Sequence, residues 1–484
     1  MNPSFDPNSL RKDLFIDGVW RKAAGAATFT VENPATQEVI AEVADGGPGD
    51  ALLAIRAAGR AQAQWATSTP RARADILRRA FDLVVANTDR LAAIMTAEMG
   101  KPLAEAKGEV AYGAEFLRWF SEEALRIGGD LTTSADGNTR ILISKEPVGP
   151  CVLVTPWNFP LAMGTRKIAP AIAAGCTMVF KPAELTPLTA LALVDIFQQA
   201  GLPDGVLNVV TTSAPADVVG SWMNSGIARK VSFTGSTGVG KILLSQAAEN
   251  VMRSSMELGG NAPFIVLADA DVERAVEGAM MAKMRNMGEA CTAANRFFVH
   301  RTLVAEFEEK LAKRMSELKV GNGAIAGTEV GPLIEQAGLD KVEGLVADAV
   351  ARGARVVTGG FRPEGPGYFY SPTVLTDVPL DAKLMSTEIF GPVAAITPFD
   401  SEDEVVRLAN DTVWGLVGYV FTENVDKAMR FSSALEVGMV GLNTGLVSNP
   451  AAPFGGVKQS GLGREGGKMG IDEFLEYKYT AIAT

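Results

Sequence analysis

The sequence is poor in the residues that build metal and disulfide centres. It has three cysteines, Cys151, Cys176 and Cys291, and a single histidine, His300, in 484 residues. Three cysteines cannot form a disulfide framework, which points to a reducing compartment. Neither C-x-x-C nor H-E-x-x-H occurs, and the few Cys and His residues are scattered, so no metal site is expected. One histidine and no G-x-S-x-G argue against Ser-His-Asp chemistry. His300 closes the run Arg296-Phe297-Phe298-Val299 and reads as a strand end. Long apolar runs are also missing. Lys, Glu or Pro interrupts each of them within about 18 residues, so no membrane-spanning helix is expected. Met1 to Leu10 is polar and lacks the apolar segment of a secretory signal. Positive charge is in deficit: Lys plus Arg is 45 against 56 for Asp plus Glu, a net charge of −11. This argues against nucleic acid and anionic membrane as general partners but leaves room for a local basic pocket. A cytoplasmic protein is expected.

What is present is ordinary globular material, 47% hydrophobic and 21% charged. At ~150 residues per domain the length suggests about three domains. Residues 50 to 127 read as helical. One helix starts at Asp50, a second near Pro70 that ends at Gly100-Lys101-Pro102, and a third spans Tyr112 to Ile127. Gly128 to Thr139 is polar and reads as an extended arm or loop. From Val148 short β-rich runs alternate with helical ones. Strands are expected at Val152–Val154, Thr177–Phe180, Val206–Val210 and Lys230–Phe233. Helices are expected at Leu161–Ala174, Leu188–Gln199, Pro215–Asn224 and Val239–Glu249. The alternation implies an α/β fold with a doubly wound parallel sheet. Nucleotides bind such sheets outside the carboxyl ends of the strands. Those ends carry Thr155-Pro156-Trp157-Asn158, Lys181-Pro182-Ala183-Glu184 and Thr234-Gly235-Ser236. A second alternating block follows: strand Phe264–Leu267, helix Asp271–Met287, strand Phe297–Val299, helix Leu303–Leu318, and further elements to Phe431. The tail from Lys468 to Ala483 is short and mixed, as an arm reaching a neighbour would be.

Gly235-Ser236-Thr237-Gly238-Val239-Gly240-Lys241 follows a strand and opens a helix, which sets backbone N–H groups and the helix dipole near a phosphate. The order is G-x-x-G-x-G, not the usual dinucleotide G-x-G-x-x-G. The segment also fits G-x-x-x-x-G-K, but Ile242 stands where a phosphate loop needs Ser or Thr. A Gly-rich turn without ligand is the plain alternative. Cys291, in Met287-Gly288-Glu289-Ala290-Cys291-Thr292, is either an inert core thiol or a nucleophile. A nucleophile needs an oxyanion donor and a base. Asn158 offers the first and Glu257, ahead of Gly259-Gly260, the second; a turn residue and a solvated strand end are the alternatives.

Five motifs in order decide between these readings: Thr155 to Pro160, Phe233 to Gly240, Glu257-Leu258-Gly259-Gly260, Gly288 to Cys291, and Glu388-Ile389-Phe390-Gly391-Pro392. Together, from about Phe15 to Tyr479, they resemble the aldehyde dehydrogenase superfamily. Cys291 follows Glu257 by 34 residues, as in that family. Pro453 to Gly466 is similar to the succinate-semialdehyde dehydrogenase branch.

The resemblance implies an aldehyde-dehydrogenase-like fold in three parts. Residues 1–127 and 147–257 would bind the nucleotide and 258–436 would be catalytic. Residues 128–146 and 462–484 would form a small oligomerisation arm, and 437–461 would return to the site. It implies that Cys291 attacks the aldehyde, that Asn158 and the Cys291 N–H stabilise the oxyanion, and that Glu257 activates water. Cofactor contacts fall to Thr155, Pro156, Trp157, Lys181, Pro182, Ala183, Glu184, Gly235, Ser236, Thr237, Gly238, Val239, Gly240, Leu258, Glu388 and Phe390. Glu184 favours NAD, with NADP as the alternative. Arg166, Arg285 and Ser448 would hold a substrate carboxylate, and a homodimer or homotetramer is expected. The substrate is then succinate semialdehyde, with a glutarate-semialdehyde or broad-range aldehyde dehydrogenase as the alternative. A CoA-acylating relative lacks the base that Glu257 supplies, and a non-catalytic protein on this scaffold would be expected to lose Cys291 or Glu257. Two departures from the pattern stand out. Ala293 replaces a second cysteine, so no switch disulfide forms there. Glu289 replaces a glutamine, and its carboxylate is expected to disfavour the thiolate.

Overall fold

A computed structural model describes residue 6 and residues 10–483. Most of the polar Met1–Leu10 segment, and Thr484 at the end of the expected arm, lie outside the described residues.

The first sheet has eight strands. Its centre is five parallel strands, in spatial order Leu207–Val209, Met178–Lys181, Cys151–Val154, Lys230–Thr234 and Arg253–Glu257. Cys-Val-Leu-Val and Met-Val-Phe-Lys are buried along their whole length, the pattern of strands covered on both faces. The winding direction reverses between Cys151–Val154 and Lys230–Thr234, so the ligand crevice of such a sheet opens between their carboxyl ends. The crossover helices Pro160–Ala174, Pro187–Gln199 and Pro215–Met223 each begin with proline, whose missing N–H costs nothing at that position.

Residues 50–127 differ from expectation. Four helices occur there, Pro48–Ala66, Pro70–Ala86, Thr88–Met99 and Leu103–Glu123. The expected second helix is divided at Asn87, whose side-chain amide donates to Leu83 O at 2.8 Å and competes with helix continuation.

The second sheet has seven strands: Arg355–Thr358, Thr373–Thr376, Val393–Phe399, Ala294–His300, Ala262–Val266, Val417–Phe421 and Met439–Leu442. All pairings are parallel except the first. Its last strand falls inside the segment 437–461 that was expected to return to the site. The helix expected over Asp271–Met287 ends at Met284. Asn286 and Met287 then turn left-handed, at φ 53° and 54°. Asparagine tolerates that region and methionine is strained there. The turn persists because Glu105 accepts a hydrogen bond from the Asn286 N–H at 2.8 Å.

A third, antiparallel sheet joins Asp130–Thr133, Thr139–Pro147 and Leu475–Ala483. The polar stretch after Gly128 is therefore half of a hairpin, and the tail pairs with it. Among the described residues no helix is long and apolar enough to cross a membrane.

Candidate active site

A cavity of about 260 Å³ lies where the carboxyl ends of the first sheet meet loops of the second. The strand ending at Val154 delivers Pro156, Trp157 and Asn158 to its wall, and the strand ending at Thr234 delivers Gly235 and Ser236. The strand Arg253–Glu257 ends in Glu257 itself and passes through Leu258 and Gly259 toward the second sheet. The loop after Met284 supplies Arg285 and Cys291, and later segments supply Glu388, Phe390 and Ser448. Arg166 enters from the helix Pro160–Ala174. Thirteen or so residues singled out in the sequence thus face one chamber.

Cys291 reaches the chamber because Gly260 permits close packing: a Cβ on Gly260 would stand 2.9 Å from Cys291 O. Burial pushes the thiol up to about 12. The charge of Arg166 pulls it down, those of Glu388 and Glu257 raise it, and Arg285 lowers it. Glu289, expected to disfavour the thiolate, is engaged with the backbone of a neighbouring loop. Its side chain is buried and accepts a hydrogen bond from the Ile334 N–H at 3.2 Å, and burial holds the carboxyl well above its ordinary range. Its Oε1 is thus turned to the Ile334 backbone.

Asn158 is buried, and its Nδ2 donates to Glu289 O at 3.0 Å, leaving one amide N–H of the same nitrogen for the chamber. Both carboxyl oxygens of Glu257 are buried without a hydrogen-bond partner among the described residues. Burial, then the neighbouring Glu465, hold that carboxyl well above its ordinary range. Facing the chamber with both oxygens unpartnered among the described residues, Glu257 is placed to bind a water and, in its carboxylate form, to deprotonate it.

Arg285 Nη1 donates to Ser448 Oγ at 3.2 Å, and its guanidinium stands over Phe159 at 4.9 Å and Tyr112 at 5.5 Å. It has no carboxylate ion-pair partner among the described residues. Arg166 is held differently. Its Nη2 lies 2.8 Å from Glu465 Oε2 and its guanidinium 4.0 Å above Phe454. That ion pair lacks hydrogen-bond alignment, so Arg166 Nε and Nη2 remain without acceptors among the described residues. Lys167 also pairs with Glu465.

The remaining expected cofactor residues form the approach to the chamber. Ser236 Oγ accepts from the Val239 N–H at 3.3 Å and caps the helix Thr237–Glu249, whose first turn carries Thr237, Gly238, Val239 and Gly240. Gly240 packs tightly: a Cβ there would lie 2.5 Å from Leu258 Cδ2, so the leucine side chain would have to shift. Thr155, Lys181, Pro182, Ala183 and Glu184 stand at adjacent strand ends, outside the chamber wall. Lys181 Nζ and Glu184 Oε2 form an ion pair at 2.6 Å. Glu388 Oε1 accepts from the Gly260 N–H at 3.2 Å, and burial pushes its carboxyl up to about 7. Phe390 meets Trp157 edge-on at 5.4 Å. These residues fit a dinucleotide: the crevice lies at the winding reversal, a capped helix N-terminus opens on it, and the buried Thr234 Oγ1 has no hydrogen-bond partner among the described residues.

Sequence reasoning missed several chamber residues. Tyr112 and Lys341 sit on helices with no local motif. Phe454 on the wall, and Glu465 behind it as the partner of Arg166, lay inside the quoted segment Pro453–Gly466, so the signal was present without the role. Among the described residues, no cluster of acidic, His or Cys side chains is arranged to hold a metal ion.

With fold and chamber in view, the comparison with known proteins gives a class. The aldehyde dehydrogenase family model matches residues 20–480, and the chain belongs to that family of aldehyde-oxidising, NAD(P)-using enzymes. It is 56% identical over 445 residues to a succinate-semialdehyde dehydrogenase of Paenarthrobacter nicotinovorans, covering 92% of this chain and 99% of that one. It is 49% identical to a 3-sulfolactaldehyde dehydrogenase of Pseudomonas putida, covering 99% and 98%. The crystal structure of succinate-semialdehyde dehydrogenase from Burkholderia pseudomallei superposes with a TM-score of 0.98 at 51% identity, covering 99% of each chain.

Proposed function

We propose that this enzyme oxidises succinate semialdehyde to succinate. The observation that carries the assignment is Arg285 with Ser448: a guanidinium without a carboxylate partner among the described residues, on the wall of the chamber that holds Cys291 and Glu257. A semialdehyde presents a carboxylate at the end opposite its aldehyde, and a guanidinium beside a hydroxyl matches it. Both relatives named above act on aldehydes that carry an acid group at the far end. Glutarate semialdehyde is the competing assignment, one methylene longer.

The chemistry follows from the placement of the side chains. Cys291 Sγ adds to the carbonyl carbon, and Asn158 Nδ2–H with the Cys291 N–H stabilises the developing oxyanion. NAD(P)⁺, when bound at the crevice, supplies the acceptor for the hydride that leaves the thiohemiacetal carbon. The resulting thioester on Cys291 is hydrolysed by water that Glu257 deprotonates. We assign NAD as the preferred cofactor. Glu184 is held below its ordinary range by Lys181 against the opposing effect of burial, so it remains a carboxylate. A carboxylate accepts from ribose hydroxyls and repels a 2′-phosphate. The sheet of residues 130–147 and 475–483 exposes Leu131, Tyr477, Tyr479 and Ile482, a surface suited to a second copy of the chain in a homodimer or homotetramer. The deciding experiment is kcat/KM for succinate semialdehyde, glutarate semialdehyde and butyraldehyde, with NAD and NADP separately. Butyraldehyde matching the two acids would remove the carboxylate assignment.

A further inference from the structure

We infer that Asn286 is a positioning residue: its side-chain amide clips the loop that carries Asn158 to the loop that carries Cys291, and so sets the oxyanion donor against the nucleophile. The inference rests on the reading of Asn158 as that donor. Asn286 is fully buried and forms no part of the chamber wall. Its Nδ2 donates to Asn158 O at 3.2 Å and to Glu289 O at 3.0 Å. Asn158 Nδ2 donates to the same Glu289 O, also at 3.0 Å. One carbonyl, two residues before Cys291, therefore receives both amides. With one Asn158 amide proton fixed on that carbonyl, the second can point only in one direction. Lys101 adds a further anchor, donating from Nζ to Asn158 O at 2.8 Å while paired with the buried Glu109. The left-handed turn is what brings the Asn286 amide inward, and it is fastened by the Asn286 N–H to Glu105.

A residue that merely stabilised this turn would affect folding and leave the chemical step alone. A clip predicts a loss of kcat that depends on Asn158. The test is steady-state kinetics of Asn286→Gly, Asn158→Ala and the double variant, with succinate semialdehyde and NAD. Glycine keeps the left-handed backbone and removes only the amide. Asn286→Gly is expected to lower kcat ~10- to 100-fold, as a misplacement of about 1 Å does, with KM for the aldehyde changed less than ~3-fold. In the Asn158→Ala background the same change is expected to cost less than ~3-fold, because the two residues act as one unit. Losses that multiply would overturn the clip and leave the oxyanion assignment standing. An Asn158→Ala enzyme with unchanged kcat would overturn both. Asn286→Asp keeps the shape and, as a carboxylate, cannot donate. Its kcat is expected to fall at neutral pH and to recover partly in acid, where the introduced carboxyl regains a proton to donate. A profile identical to the parent enzyme would also overturn the clip.

Discussion

Replacing Arg285 by glutamine removes a cation from the chamber and leaves the introduced amide and Ser448 as neutral donors. The guanidinium makes one hydrogen bond, to Ser448 at 3.2 Å, and no ion pair among the described residues. Its loss therefore leaves no buried carboxylate stranded. A charge-assisted hydrogen bond contributes ~1.5–3 kcal/mol. Transferred to kcat/KM, that is a loss of roughly 10- to 150-fold for succinate semialdehyde. Butyraldehyde, which has the same number of carbons and no carboxylate, should change little, since Arg285 is the weakest of the named charges acting on Cys291. Arg166→Gln should behave differently. Arg166 exerts the strongest favourable charge on Cys291 and shares Glu465 with Lys167, so its loss should slow both aldehydes. The assay is NADH formation followed by absorbance with each aldehyde. If Arg285→Gln lowers both by one factor, the residue is structural and the carboxylate reasoning is refuted.

Glu257→Gln should slow turnover ~10²-fold or more through loss of the general base, with a thioester accumulating on Cys291 in intact-protein mass spectra; an unchanged rate would remove Glu257 from that role. Because burial holds the Cys291 thiol up at about 12, alkylation of the cofactor-free enzyme by iodoacetamide should climb steadily with rising pH. No levelling is expected between about pH 6 and about pH 9, since the thiolate is the reactive form; a plateau near neutrality would show that the thiol is already ionised. Glu184→Ser should shift the ratio of kcat/KM values toward NADP, and equal use of NADP by the parent enzyme would contradict the role given to Glu184.

The central strands were legible because a parallel sheet covered on both faces needs continuous apolar runs, and Cys151–Val154 and Met178–Lys181 supply them. The motifs at the ends of those strands then placed the chamber. What the sequence hid are features set by distant partners. The helix before Cys291 stops at Met284 because a left-handed turn is fastened to Glu105, some 180 residues earlier. Glu289 read as a carboxylate pressing on the thiol, and only the structure shows it buried with its Oε1 turned to the Ile334 N–H. Arg166 and Arg285 read alike as carboxylate ligands. Their difference lies in Glu465, which reaches back across the whole catalytic segment to pair with one and not the other.

The short strand Gly461–Leu462 completes the first sheet by pairing with Met256 and Glu257, about 200 residues earlier. That pairing has a consequence for how the molecule comes into being. A growing chain that has been synthesised as far as residue 450 already contains the thiol, the amide and the acid, yet lacks the edge strand beside Glu257 and the Glu465 that orders Arg166 and Lys167. Such long-range closures are slow, because loop entropy must be overcome before the contacts form. Reactive chemistry is thus withheld until the last twentieth or so of the chain arrives, and a half-made enzyme holds its cysteine without the surroundings that make it a catalyst.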